Sequence, residues 1–320
     1  MNKLIRLFNQ NIRKIIVGVL AIVFVFVIIN VLNEVAKENN KIAQNEIKEN
    51  NVITNTNNKV NYEKQSTSLI TGEKVSDQYQ DTFGKLIDNF LEACLEGNTE
   101  EAYNLLSQDC KEELYSSKEI FIDKYCKDKF IGNRKYSFQA WSAKEPYIYK
   151  IKIFEDMLAS GKANTNYIED YYTIAEENGD YKLNISSFIG KVDKNSENTK
   201  NGVTVKIKNI KVYLNYLVYN LEVENSTENA ILLDRRKLTD ETYLMDKSGA
   251  LYTALLHENT EDDLLVESQD KKEIEIKFSC VYQDNTRIAG MVFSKVIPNY
   301  EQYKQNIEEY EDFYEIEVEQ

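Results

Sequence analysis

Histidine is nearly absent from this chain, with His257 the only one among 320 residues. A Ser-His-Asp or Cys-His nucleophilic site would have to be assembled around that single side chain. It stands beside Glu258, ahead of the acidic run Glu261-Asp262-Asp263, and that setting reads as a surface loop. Other signatures are missing too: there is no H-E-x-x-H, no C-x-x-C, no glycine-rich phosphate loop and no calcium-loop spacing. Asp262, Asp263 and Glu267 could attract a divalent cation, but a charged loop of this kind is ordinarily just solvated. No catalytic, cofactor or metal site is expected. Proline is scarce at 2 residues and Trp141 is the only tryptophan, whereas tyrosine reaches 22. Strands and helices rich in half-buried aromatics follow from that balance.

Hydrophobic residues make up 42% and charged residues 29%, which suits a folded protein. The net charge is −14, yet Lys3, Arg6, Arg13 and Lys14 open the chain with no acid among them. The remainder carries 35 basic against 53 acidic residues, or −18. A surface that acidic repels nucleic acid, whose binding needs arrays of Lys and Arg.

Ile15 to Leu32 holds eighteen residues without a charge. That is close to the ~20 needed to cross a bilayer as a helix. The cationic leader predicts a cytoplasmic N-terminus over 1–14, a transmembrane helix over 15–33 and an extracellular C-terminus, a single-pass cell-membrane protein whose first partner is the lipid bilayer. A cleaved signal peptide fits less well, because Glu34-Val35-Ala36 is a poor match to the usual small-residue cleavage site. The asparagine-rich stretch 34–76 has little to bury and predicts a flexible spacer.

Over 77–192 the pattern is helices first and strands after. Phe83, Leu86, Ile87, Phe90, Leu91, Cys94 and Leu95 lie on one helical face, and Gly97 ends the run. Asn98 with Glu101, and Ser116 with Glu119, have the spacing of capping boxes for two further helices. Strands are expected at Tyr136–Trp141, Tyr147–Phe154, Tyr167–Ala175 and Tyr181–Ile185, the last two joined by a hairpin at Asn178-Gly179. A pairing of Tyr147 or Tyr149 with Asp170 is the only catalytic-looking arrangement, and sheet and cavity lining is the plainer role for those tyrosines. Among the cysteines, Cys94 sits on the apolar stripe, Cys110 with Cys126 is the pair to test for a disulfide, and Cys280 lies further on. The helical pair around Glu96-Gly97-Asn98, the helix of "EEAYNLL" and the hairpin "YYTIAEENGDYKLNI" resemble the nuclear-transport-factor-like cone fold. That resemblance implies helices packed into a curved sheet, a fold that hosts both enzymes and binding modules. Its catalytic members often place an Asp and a His in the cone, and this domain has no histidine.

A polar joint at Asp193–Asn201 is expected to separate a second domain at 201–297, where alternation marks strands at Val203–Leu214, Tyr216–Glu224, Glu241–Met245, Leu251–Leu256, Glu273–Cys280 and Ile288–Val296. "LVYNLEVEN" and "KKEIEIKFSC" resemble the immunoglobulin-like, telokin-like sandwiches of Gram-positive envelope proteins. From 298 to 320, Tyr300, Tyr303, Ile307, Tyr310 and Tyr314 recur at steps of 3 and 4, the spacing of one helix face, with acids over the rest. An acidic amphipathic terminal helix is predicted, docked on the protein itself or offering its aromatic stripe to a partner. The whole reads as an α+β protein: a transmembrane helix, a cone domain, an all-β sandwich and a C-terminal helix. Its expected role is a non-enzymatic, extracytoplasmic binding or scaffold protein of the bacterial cell envelope, engaging an envelope protein or a cell-wall component. A subunit of a conjugation or secretion apparatus and an extracellular enzyme using a cavity in the cone are the alternatives.

Overall fold

The first long helix, α1 (Asp77–Glu96), buries Phe83, Leu86, Ile87, Phe90, Leu91 and Cys94 along one side, as their spacing demands. Gly97 ends it with φ 76°, a left-handed conformation that a side chain would resist. In the computed structural model, residues 60–156, 167–236 and 241–320 are described, and residues 61–320 form one unit. The uncharged run 15–33 and the spacer up to residue 59 lie outside the described residues.

Three shorter helical pieces follow: α2 (Thr99–Asn104), α3 (Gln108–Leu114) and α4 (Lys118–Phe121), the last running through a π-turn at Ile122–Cys126 into α5 (Lys127–Lys129). Their caps differ from the expected ones. Asn98 bonds the Glu101 side chain rather than the backbone, Ser107 caps α3 by accepting from the Cys110 amide, and Ser117, not Ser116, caps α4. An antiparallel sheet then forms in the order β1 (Arg134–Ser142), β2 (Ile148–Glu155), β3 (Tyr167–Glu177), β4 (Asp180–Asn184). Alternation sends Phe138, Ala140, Tyr149, Ile151, Ile153, Asp170 and Tyr172 inward against the helices.

Residues 61–76, expected to be spacer, are packed instead. Tyr62 and Val75 are buried, and the Tyr62 ring lies where a Cβ at Gly84 of α1 would have to be. This strap covers the β1 edge: the Ala140 amide donates to the Gln65 carbonyl (2.7 Å), and the Leu69 amide donates to the Ala140 carbonyl (2.8 Å).

The polar joint expected at Asp193–Asn201 is also corrected. It is the second half of one strand, β5 (Phe188–Lys200), which turns at Asn201-Gly202, both in the left-handed region, and pairs along β6 (Val203–Tyr213). The side chains there are polar on both faces, but the backbone pairing does not require apolar ones. β5, β6, β7 (Leu217–Asn225) and β12 (Asp270–Phe278) make one sheet; β9 (Thr242–Asp246), β10 (Leu251–Thr253), β13 (Ile288–Val296) and β14 (Tyr314–Glu319) make another. A small pair, β8 (Ile231–Leu232) with β11 (Leu265–Val266), and a short helix α6 (Glu261–Leu264) complete this half. The two large sheets share one apolar core drawn from Val205, Ile207, Leu221, Val223, Ile276, Phe278, Met291 and Phe293, all at or below 1% exposure. Each fully buried side chain of this class contributes roughly 1.5–3 kcal/mol.

The fold class expected from sequence is thereby corrected. Strand accounts for 43% and helix for 26% of the described residues, which are mostly β-sheet. Among the described residues no helix is long and apolar enough to cross a membrane. The terminal helix is only α7 (Tyr300–Gln305), and the chain then adds β14 to β13 because Ile316 and Val318 alternate into the core.

Candidate functional site

The helix-covered face of the first sheet is filled by the protein's own rings. Phe90 meets Tyr172 edge-on at 5.4 Å, and Phe121 stacks on Tyr125 at 5.5 Å. At the centre lies Asp170, 3% exposed, on β3. Its Oδ2 accepts from the Tyr125 hydroxyl (3.0 Å) and from the Lys129 ammonium (2.5 Å), while its Oδ1 accepts from the Tyr171 amide (2.8 Å). Tyr125 and Tyr172 share a further hydroxyl bond of 2.6 Å. Burial, followed by the charge of Asp170, holds both phenols well above their ordinary pKa, so they stay protonated donors. The chemistry this arrangement performs is mechanical: it fixes the π-turn and α5 onto β3 with a compensated buried charge.

Asp170 thus bonds Tyr125 of the π-turn, and Tyr147 and Tyr149 take the lining role that is the plainer reading. Register sets Ile151, not Tyr149, opposite Asp170, and Tyr149 faces Tyr172. Tyr147 belongs to an aromatic cluster with Tyr79, Phe83 and Tyr181. The four cysteines are buried free thiols, so Cys110 and Cys126 are not bridged. Cys126 is instead the partner of Cys94, whose thiol is held up first by that hydrogen bond and then by burial. Burial pushes the Cys110 thiol up to about 12.

A second, half-buried carboxylate secures the strap. Asp88 on α1 accepts from the hydroxyls of Tyr62 and Tyr136, the latter at 3.0 Å. Burial raises its carboxyl above the usual range against the opposing pull of those two donors. On the outer face of the sheet, Trp141 meets Tyr171 edge-on at 5.3 Å, and the Lys150 ammonium sits 5.9 Å from both rings while pairing with Glu169 (2.8 Å).

The five residues singled out at the C-terminus do not share a helix face. Tyr303 and Tyr310 are buried in the sandwich core and meet edge-on at 5.4 Å; Tyr300 and Tyr314 are half-buried; Ile307 alone is exposed, at 41%. Asn306 follows the last turn of α7, and Phe313 then lies under the Arg235 guanidinium at 4.7 Å. Arg235 in turn pairs with buried Glu241. The stripe therefore closes the protein's own core. His257 is exposed beside Glu258. Asp263 is occupied in a capping box with Thr260, and among the described residues no group of three or more His, Cys, Asp or Glu is placed to hold a metal ion.

Sheet edges decide what kind of contact remains open. β4 is covered by the α2–α3 link, where the Leu183 amide donates to the Leu105 carbonyl (3.0 Å) and the Leu183 carbonyl accepts from Ser107 (3.0 Å). The end of β12 meets the segment just past β10, where the Leu255 amide donates to the Lys277 carbonyl (2.7 Å), and β5 joins β14 through the Asn198 side chain, which donates to the Glu317 carbonyl (2.6 Å). With the strap on β1, each edge strand of the three four-stranded sheets has a partner segment among the described residues. Strand addition by a partner is thereby disfavoured.

No family model matches the chain, and no curated protein matches it. A solved structure of a functionally unknown protein from Listeria monocytogenes EGD-e aligns with 41% of this chain and 84% of its own, at 9% identity and a TM-score of 0.29. A likeness that slight carries no argument about fold or function.

Proposed function

We propose that this chain is a non-enzymatic binding or scaffold protein of the cell envelope, attached to a membrane through residues 15–33 and holding residues 61–320 outside the cytoplasm. In this reading the first domain is a cone of the nuclear-transport-factor-like type and the second an immunoglobulin-like sandwich, both used for recognition by their outer faces. The attachment rests on the uncharged run from Ile15 and the four cations before it. One observation carries the rest: the interior of the cone is occupied by the satisfied Tyr125–Asp170–Lys129 network, and β5 of the sandwich sheet follows β4 after only residues 185–187 and packs against β3 and α3 of the first half. A body so filled and fused suits a rigid spacer that presents surfaces.

The junction is further braced by charge. Glu113 of α3 pairs with Lys191 of β5 (2.8 Å) and Lys211 of β6 (3.3 Å), and Lys211 also reaches Glu275 of β12 (2.7 Å). The test is to treat intact cells with protease, wash membranes with carbonate, and cross-link the full chain in place. Digestion from outside, retention after the wash and a reproducible cross-linked partner are expected. Protection from external protease, or release by carbonate, sinks the reading.

A further inference from the structure

The tip of the strap exposes two aliphatic side chains although its backbone is tightly held. Leu69 and Ile70 are 42% and 56% exposed. The Ser68 hydroxyl accepts from the Ile70 and Thr71 amides, both at 3.2 Å, and donates to the Trp141 carbonyl at 2.8 Å. Gly72 completes the turn at φ 69°. The exposure is thus built into an ordered turn, and one hydroxyl joins the aliphatic tip to the sole tryptophan and its neighbour Tyr171. Charges around this crown are already paired: Lys74 with Glu63, Lys144 with Glu73, Lys150 with Glu169.

We propose that Leu69, Ile70, Trp141 and Tyr171 form a second lipid contact, by which the folded body seats on the bilayer surface. This rests on the membrane attachment proposed above. Two features of the molecule favour lipid over another occupant. The first is reach. Only residues 34–60, 27 in all, separate the strap from the uncharged run. At full extension they span at most about 100 Å. Confinement to that distance gives an effective concentration on the order of millimolar, so even a weak contact is populated. The second is chemistry. An aliphatic tip on the β1 edge, with the half-buried Trp141 and Tyr171 rings on β1 and β3, offers both the apolar and the amphipathic side chains that a membrane interface takes. Because the nearby lysines are paired and the chain carries −14, attraction to anionic headgroups plays no part. The ligand class is accordingly a zwitterionic phospholipid surface, bound through apolar burial.

Trp141 reports on this directly, being the only tryptophan. Full chain is reconstituted into phosphatidylcholine vesicles with or without bromine on the acyl chains, quenchers that act only at short range. The expected result is at least twofold loss of Trp141 emission in brominated vesicles, unchanged between low and high salt and abolished by the double variant Leu69→Asp, Ile70→Asp at unaltered thermal midpoint. Carbonate extraction of the same vesicles reads attachment separately. A chain that resists extraction but shows no quenching overturns this inference and leaves the attachment standing. Quenching that the double variant retains also overturns it. A concentration-dependent shift of Trp141 emission without quenching assigns the crown to a second copy of the chain instead. For a chain that carbonate strips, the fragment 61–320, a unit with its own core, is added to the same vesicles, and the presence or absence of quenching decides.

Discussion

The two halves of the folded unit solve the same problem with different materials. The sandwich draws its central layers from Val, Ile, Leu and Phe of two facing sheets, and its buried carboxylates Asp234 and Glu241 bond Thr242 and Arg235 rather than phenols. The first domain instead buries a carboxylate among phenols, with Asp170, Tyr125 and Tyr172 at its centre and Asp88 under the strap. Interdigitated aliphatic layers resist change in volume, whereas a buried polar network resists change in valence. Irregular pieces explain the choice. A π-turn and a strap offer little regular apolar surface, and directional bonds place them where packing alone would not.

Substitutions can break that contrast. Asp170→Ala leaves the Lys129 ammonium and the Tyr125 hydroxyl without their acceptor, and a loss of about 3–5 kcal/mol is expected by denaturant titration, partly recovered in Asp170→Asn. In the sandwich, Phe278→Ala is expected to cost about 3–5 kcal/mol while Phe278→Leu costs much less, since only volume matters there. Equal sensitivity of the two sites to polar replacement would erase the distinction. Next in size, Gly84→Ala drives a methyl into the Tyr62 ring, with an expected cost of about 1–3 kcal/mol and new proteolytic cleavage within 61–76.

The titration behaviour sharpens the comparison further. Burial works against ionisation at Glu113, and the ammonium groups of Lys191 and Lys211 outweigh it, so its carboxyl lies below the usual range. Its contribution is therefore present above the ordinary glutamate pKa and lost as pH falls through the lowered one. Asp88 has the opposite sign: its raised carboxyl favours the fold in the protonated form, a contribution complete below 3.8 and lost as pH rises through the raised value. Glu113→Gln is expected to lower the thermal midpoint at neutral pH, Asp88→Asn to raise it, and both differences to shrink in acid. Like-signed differences would contradict the assigned causes. Smallest of all, Trp141→Ala should move the thermal midpoint little, because the ring packs on an outer face.

Much of this architecture was legible in the residue pattern, and the misses have specific causes. The 3.6-residue period located α1, and strict alternation located β1–β4, β6, β7, β9, β12 and β13. The second half of β5 was hidden because Asp193–Lys200 carries no apolar alternation, although Asn201-Gly202 was a hairpin signal in plain view. At the C-terminus the 3 and 4 spacing of tyrosines competed with the alternation of Ile316 and Val318, and sheet pairing won beyond Asn306. The strap has no period at all; only Tyr62 and Val75 anchor it. Asp170 drew attention as a carboxylate among strand tyrosines, but its partners depend on the β2–β3 register and on a π-turn, and neither is encoded locally.

Whether these unlike halves behave as one rigid body is the claim on which the scaffold reading stands. Hydrogen exchange on the unit 61–320 tests it: Phe278→Ala, placed deep in the sandwich, should accelerate exchange of the most protected amides of β2 and β3 as much as those of β6. Acceleration confined to the sandwich, with β2 and β3 still protected as before, would contradict it.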